Sequence, residues 1–354
     1  MFLHLHRLIA LLIGPIVPAF SLLIAGATIP EPESTAVHIT TPTGRIHGTQ
    51  LVPKSNQPPV VLIIAGSGPT DRDGNSAVLP KPNNSLKLLA EGLAEYGIAS
   101  VRYDKRGVAE SASAVRQEAD VTFDTLVEDA ALWVQQLQSD SRFSSVTVIG
   151  HSEGSLIGMI AAHKTEADAF VSIAGPARKA SEVLRDQLRP RLSDPLWQES
   201  ERILTALEQG DTVAAVPPQL EVLYRPSIQP YLISWFRYIP AEEIQRLTMP
   251  VLIAQGTTDI QVPVSEAEAL KLAKPDAELV IIEGMNHVLK LAPLEHEQQL
   301  ATYMDPSLPV VPELVESISQ FIHSRVTTES ISQRENQRDN ANGNHYLVFR
   351  NAGP

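Results

Sequence analysis

The chain has 354 residues, with 28 Lys and Arg against 41 Asp and Glu, and no cysteine. A net charge of −13 argues against nucleic acid as a partner, because phosphate neutralisation needs clustered Lys and Arg. Without cysteine there is no disulfide and no thiolate chemistry, and any metal site would need His and carboxylate ligands at spacings such as H-E-x-x-H, which do not occur.

The composition, 43% hydrophobic and 19% charged, suits one large α/β domain with an insertion, or two small domains. At the N-terminus, Arg7, His4 and His6 precede an apolar run from Leu8 to Ala25, and Ala25-Gly26-Ala27 offers a small-residue cleavage site. This predicts a signal peptide over residues 1–27 and an exported protein, periplasmic or secreted. An uncleaved anchor is the alternative, but a spanning helix wants about 20 apolar residues with fewer prolines than Pro15 and Pro18 introduce. No stable membrane insertion is expected once the leader is removed. Residues 28–36 read as a polar linker.

Two short strands around Thr41-Pro42-Thr43-Gly44 predict a hairpin at a sheet edge. Val60–Ala65 is a continuous apolar run, as in a strand covered on both faces, and it ends in Gly66-Ser67-Gly68. Ser85–Tyr96 has helical apolar spacing with Gly97 as its C-cap; Ile98–Tyr103 is a strand and Phe123–Leu137 a helix. Val146–Ile149 then leads through Gly150-His151-Ser152-Glu153-Gly154 into an Ala-, Ile- and Leu-rich helix, and Ala169–Gly175 is another strand. This alternation predicts right-handed crossovers and a mainly parallel sheet.

The alternation stops at Pro176. Residues 177–247 contain amphipathic stretches but no strand-like run, and predict a helical cap inserted above the C-terminal ends of the strands. Trp235, Phe236 and Tyr238 either line an acyl pocket or form the cap's own core. The rhythm resumes at Pro250–Gly256, so the core spans 37–176 and 248–326. Residues 327–354 form a polar tail too poor in apolar residues to order itself, with an unexplained strand-like island at His345–Arg350.

Gly150–Gly154 is a G-x-S-x-G sequence between a strand and a helix, the context in which a serine is lifted clear of a sheet edge. Alone, it is also an ordinary glycine-bracketed turn. Two later loops decide the matter. Gly256-Thr257-Thr258-Asp259 follows one strand, and His287 lies just beyond Val280–Ile282, so both residues fall past strand C-termini where open α/β sheets bind ligands. Singly, a loop Asp is more often a cap and a lone His more often bland. Together they supply the base that takes the Ser152 proton and the carboxylate that fixes the base. For the oxyanion, the candidate donors are the backbone N–H of Glu153 and that of Ser67, with Gly68 as the alternative to Ser67. The polar loop Asp71, Arg72, Asp73 and Asn75 either positions substrate or forms an Arg–carboxylate turn network.

Gly66–Asn75, Tyr103-Asp104-Lys105-Arg106-Gly107 and Gly150–Gly154, with Asp259 and His287, resemble the motifs of the α/β-hydrolase superfamily, in particular bacterial esterases of the serine-aminopeptidase-like group. The resemblance covers about Val37 to Ser324. It implies the α/β-hydrolase fold, with helices on both faces of a mainly parallel sheet, and hydrolysis of a small-molecule carboxylic ester through an acyl-enzyme without a cofactor. Ala109 departs from the pattern, which usually has glycine there. The expected activity is cleavage of short- to medium-chain acyl esters by Ser152, His287 and Asp259. A peptidase on the same scaffold and a non-catalytic binding protein are the alternatives.

Overall fold

The computed structural model describes residues 31–324; the leader expected over 1–27 and the tail from 327 lie outside them. Strands β1 (Glu33–Thr41) and β2 (Gly44–Val52) form the edge hairpin, with Thr41 opposite Gly44. The stretch read as a linker needs correcting here. β1 begins at Glu33, and Glu33 to Ala36 pair with Val52 to Thr49. An outermost strand faces water, so polar residues hide it from a reading based on apolar runs.

Six more strands follow: β3 (Val60–Ile64), β4 (Ala99–Tyr103), β5 (Val146–His151), β6 (Ala169–Ile173), β7 (Val251–Gly256) and β8 (Glu278–Ile282). The sheet order is β1-β2-β4-β3-β5-β6-β7-β8; β3 to β8 run parallel, and β2 pairs antiparallel with β4. Every residue of β3 to β7 is buried, which is why β3 reads as an unbroken apolar run and the others as largely apolar ones interrupted by single polar residues such as Ser100, Arg102 and Ser172.

The helices are α1 (Ser85–Glu95), α2 (Phe123–Gln138), α3 (Glu153–Thr165), α4 (Ala180–Leu188), α5 (Asp194–Glu208), α6 (Glu221–Tyr224), α7 (Gln229–Trp235), α8 (Pro240–Gln245), α9 (Val264–Ala273) and α10 (His296–Thr302). A further helix, α11, occupies 312–324. Alternate residues of β3 show how the sheet serves two cores. Val61 and Ile63 pack with Leu86, Leu89 and Leu93 of α1 and with Leu314 and Ile318 of α11. Leu62 and Ile64 face the opposite layer, with Leu126, Ala130 and Val134 of α2 and Ile157 of α3. Helix α1 ends as predicted, with Gly97 at φ 77° and its N–H on the Ala94 carbonyl. Thr122 and Thr125 cap the start of α2 reciprocally.

Between β6 and β7 the chain forms α4 to α8 and short 3₁₀ turns. Ile203, Leu204, Leu207, Tyr224, Leu232 and Phe236 make a separate apolar cluster there. Trp235 stacks on Phe123 of α2 at 6.0 Å, and the Tyr238 hydroxyl donates to Asp124. Of the two readings of these aromatics, the structure supports packing. Ala109 has φ 42°, a conformation that explains why glycine suits its position. Among the described residues no helix is long and apolar enough to cross a membrane.

Candidate active site

Ser152 sits between the last residue of β5 and the first of α3, with φ 55° and ψ −121°. Serine rarely adopts this backbone, and the surroundings enforce it. The Ser152 N–H donates to the Ile173 carbonyl at 2.9 Å. A Cβ on Gly150 would lie 2.2 Å from the Gly154 oxygen, and one on Gly154 would lie 2.4 Å from the Ile64 oxygen. Only glycine at both positions lets helix α3 turn this closely against β3 and β5. Among the described residues the Ser152 hydroxyl makes no hydrogen bond, so it is free to meet a ligand.

Asp259 and His287 come together. His287 Nδ1 donates to Asp259 Oδ2 at 2.7 Å, with side chains 7% and 1% exposed. Asp259 Oδ1 accepts the N–H groups of Gln261 and Val262 at 2.7 and 2.9 Å, which fixes the carboxylate in its loop. Burial opposes ionisation of Asp259, but His287 and these two amides outweigh it and hold its pKa below the usual carboxylate value. With Nδ1 committed to the aspartate, Nε2 of His287 is the nitrogen left for proton transfer.

The His287 loop is braced from α10, a helix the sequence reading did not identify. Asn286 Oδ1 accepts the N–H groups of Val288 and Lys290, while its Nδ2 donates to Gln299 and Thr302. Gln299 in turn donates to the Thr258 carbonyl at 2.9 Å, next to Asp259. One fully buried amide therefore joins the loops that carry Asp259 and His287.

His151, unassigned from the sequence, is 8% exposed and its Nε2 donates to the His287 carbonyl at 2.8 Å. Burial, and then the neighbouring His287, push its pKa down to about 3, so it is a neutral donor. Only its position beside the serine marks it in the sequence.

The two predicted oxyanion donors also lie near Ser152. A Cβ on Gly66 would be 3.2 Å from Ser152 Cβ, so the loop after β3 passes directly beside the serine. Among the described residues neither the Ser67 N–H nor the Glu153 N–H has a hydrogen-bond acceptor. The Glu153 side chain points elsewhere: it is buried, pairs with Lys105 Nζ at 2.8 Å and accepts the Tyr231 hydroxyl of α7.

Ser152, His151 and His287 share a cleft of about 240 Å³ with Gly66, Ser67, Thr70, Ser76, Val78, Leu79, Asn83, Gln261, Val288 and Tyr303. No residue of 177–247 lines it. The predicted cap reaches the site indirectly, through Tyr231 to Glu153 and through Gln187 to the Gln261 carbonyl. The polar loop is the turn network. Arg72 pairs with Asp104 at 2.5 Å, Arg102 pairs with Asp73 at 2.9 Å, and Asp71 accepts the N–H groups of Asp73 and Asn75.

Residues 84–204 match the family described as serine aminopeptidase, S33. Over 258 residues the chain is 32% identical to esterase EstD of Thermotoga maritima, covering 70% of this chain and 60% of that protein. The chain thus spans less than two thirds of that relative's length. Among solved structures, an esterase of Pyrococcus furiosus matches at TM-score 0.54 and 15% identity, over 83% of this chain and 91% of the other. Est1E from Butyrivibrio proteoclasticus matches at TM-score 0.52 and 17% identity, over 82% and 99%. At such identities the two structures speak to the fold alone. With the sheet order, the glycine-bracketed elbow and the sequence likeness taken together, the chain has the α/β-hydrolase fold and resembles the serine aminopeptidase family over residues 84–204.

Proposed function

We propose that the protein is a carboxylic ester hydrolase in which Ser152 is the nucleophile, His287 the general base and acid, and Asp259 the residue that orients His287. The observation that carries this reading is the 2.7 Å Asp259–His287 hydrogen bond in the cleft that also holds Ser152. In the first half-reaction His287 Nε2 takes the Ser152 proton as the hydroxyl oxygen attacks the ester carbonyl. The tetrahedral oxyanion is met by the N–H groups of Glu153 and Ser67. Collapse expels the alcohol, protonated by His287, and leaves an acyl-serine. Water activated by the same imidazole then releases the acid.

The cleft supports a small substrate. Its 240 Å³ lies below the roughly 300–1,000 Å³ of pockets that enclose drug-sized ligands, which favours short- to medium-chain acyl esters. The serine aminopeptidase match makes peptidase activity the second reading. An aminopeptidase needs a negative group for the substrate ammonium, and none of the described residues lining the cleft is Asp or Glu. This favours the ester.

The test is turnover of p-nitrophenyl acetate, butyrate and longer esters beside aminoacyl p-nitroanilides, with wild type and Ser152→Ala. Ester hydrolysis that falls with acyl length and disappears in Ser152→Ala is expected. Anilide turnover without ester turnover would favour the peptidase, and wild-type rates in Ser152→Ala would remove the serine from its role. The leader leads to a parallel proposal, export with cleavage after Ala27. N-terminal sequencing of protein recovered outside the cytoplasm should then begin at Thr28, whereas an intact Met1 would refute cleavage.

A further inference from the structure

Lys105 is a buried cation close to the site, with no part in the chemistry described above. Its side chain is 5% exposed and that of Glu153 is 1% exposed. Lys105 Nζ makes two strong contacts: Glu153 Oε2 at 2.8 Å and the backbone carbonyl of Gly66 at 2.6 Å. The second contact matters most. The Gly66 carbonyl and the Ser67 N–H belong to one planar trans peptide, in which C=O and N–H point in opposite directions. A cation gripping the carbonyl therefore sets the direction of the N–H. Lys105 does not line the cleft, whereas Gly66 and Ser67 do.

We infer that Lys105 is a positioning residue of the oxyanion hole: by holding the Gly66 carbonyl it aims the Ser67 N–H at the reacting carbonyl oxygen. The inference rests on the proposed role of Ser67 and Glu153 as oxyanion donors. Its other contact serves the same end, because Glu153 is the residue whose own N–H is the second donor. One ammonium thus spans the two segments that supply the two donors. The preceding residue adds a second clamp on the same loop, since Asp104 Oδ1 accepts the Arg72 N–H at 2.8 Å. Tyr231 occupies the remaining Glu153 oxygen, so the network extends into helix α7.

A purely structural role makes a different prediction. If Lys105 only neutralises a buried carboxylate, then removing both charges together should restore function. If it aims a peptide, activity should stay low even when the charge balance is repaired. The probes are p-nitrophenyl butyrate and an alkyl trifluoromethyl ketone, which forms a serine hemiketal whose oxyanion occupies the hole. In Lys105→Met, kcat is expected to fall about tenfold to a hundredfold and the ketone Ki to rise by a similar factor, with KM changed less than about threefold. In Lys105→Met/Glu153→Gln, which leaves no unpaired buried charge, thermal stability should recover while kcat and Ki remain impaired. This double variant is also the one to read if Lys105→Met alone does not fold. Recovery of wild-type kcat and Ki in the double variant, or a parallel rise of Ki and KM in either variant, would overturn the assignment. Failure of the underlying reading looks different: wild type itself would not be inhibited by the ketone.

Discussion

His151 Nε2 donates to the backbone carbonyl of His287 at 2.8 Å, so the residue before the proposed nucleophile holds the main chain of the proposed base. The pKa of about 3 for the His151 imidazole lies below the about 6.5 of an unfolded histidine. Below about pH 6.5 the unfolded chain binds a proton that the folded chain refuses. Stability from this group is therefore complete above that pH and falls by about 1.4 kcal/mol per pH unit beneath it, until the folded value is reached. Asp259, whose pKa is lowered, adds a loss of the same direction below about pH 4. Urea unfolding at about pH 7, 6 and 5 should show the histidine slope in wild type and not in His151→Gln. Equal slopes in the two proteins would mean that His151 protonates without unfolding.

Ser152 carries backbone strain that goes with its proposed role as nucleophile. At φ 55° and ψ −121° a non-glycine residue costs about 1–3 kcal/mol. Ser152→Gly should be inactive and about 1 kcal/mol more stable than wild type, whereas Ser152→Ala should be inactive and within about 0.5 kcal/mol of it. Urea melts alongside ester hydrolysis measure both properties. A glycine variant less stable than the alanine variant would contradict the strain.

Asp259→Asn keeps the shape of the acid loop but replaces a carboxylate with an amide. The asparagine can present its N–H₂ to His287 Nδ1 and favour the wrong tautomer, leaving Nε2 without a lone pair for the serine proton. A fall in kcat of about 10³–10⁴-fold is expected with little change in KM. A fall of less than about tenfold would show that His287 does not depend on this partner.

Gln299 links Thr258 to Asn286 from inside α10. Gln299→Leu leaves the Thr258 carbonyl without this donor and should cost about 1–3 kcal/mol. The loops bearing Asp259 and His287 then lose a shared brace, and kcat should fall about tenfold to a hundredfold. Stability measurements and steady-state kinetics on the same preparation check this. Unchanged kcat in a destabilised protein would limit Gln299 to folding.

How much of this was legible in the sequence depended on range. Ser152, Asp259 and His287 each stand one short turn beyond an apolar strand, so strand reading alone placed them at the same sheet edge. The family resemblance and the fold it implied are borne out. Lys105 and Glu153 meet across 48 residues and His151 reaches His287 across 136, and nothing local announces such pairs. Glu33 to Ala36 read as linker in the sequence because a strand with water on its outer side has no need of an apolar run. Helix α10 opens on the polar run His296, Glu297, Gln298 and Gln299, of which Gln299 is buried and hydrogen-bonds to Asn286 and Thr258 in other loops. Leu314, Ile318, Phe321 and Ile322 do keep helical spacing, and this apolar face seats α11 on the sheet.

The insertion between β6 and β7 also divides the proposed chemistry along the chain. Ser152 and the oxyanion loop precede it, while Asp259 and His287 follow it, and residues 208–212 within it are exposed. A break there yields two fragments, one holding the nucleophile without its base and the other the base without its nucleophile. Hydrolysis then depends on β6 of one fragment finding β7 of the other, a parallel pairing that aligns Phe170 with Val251 through Ile173 with Ala254. Fused to two interacting partners, such halves would turn the meeting of those partners into released chromophore.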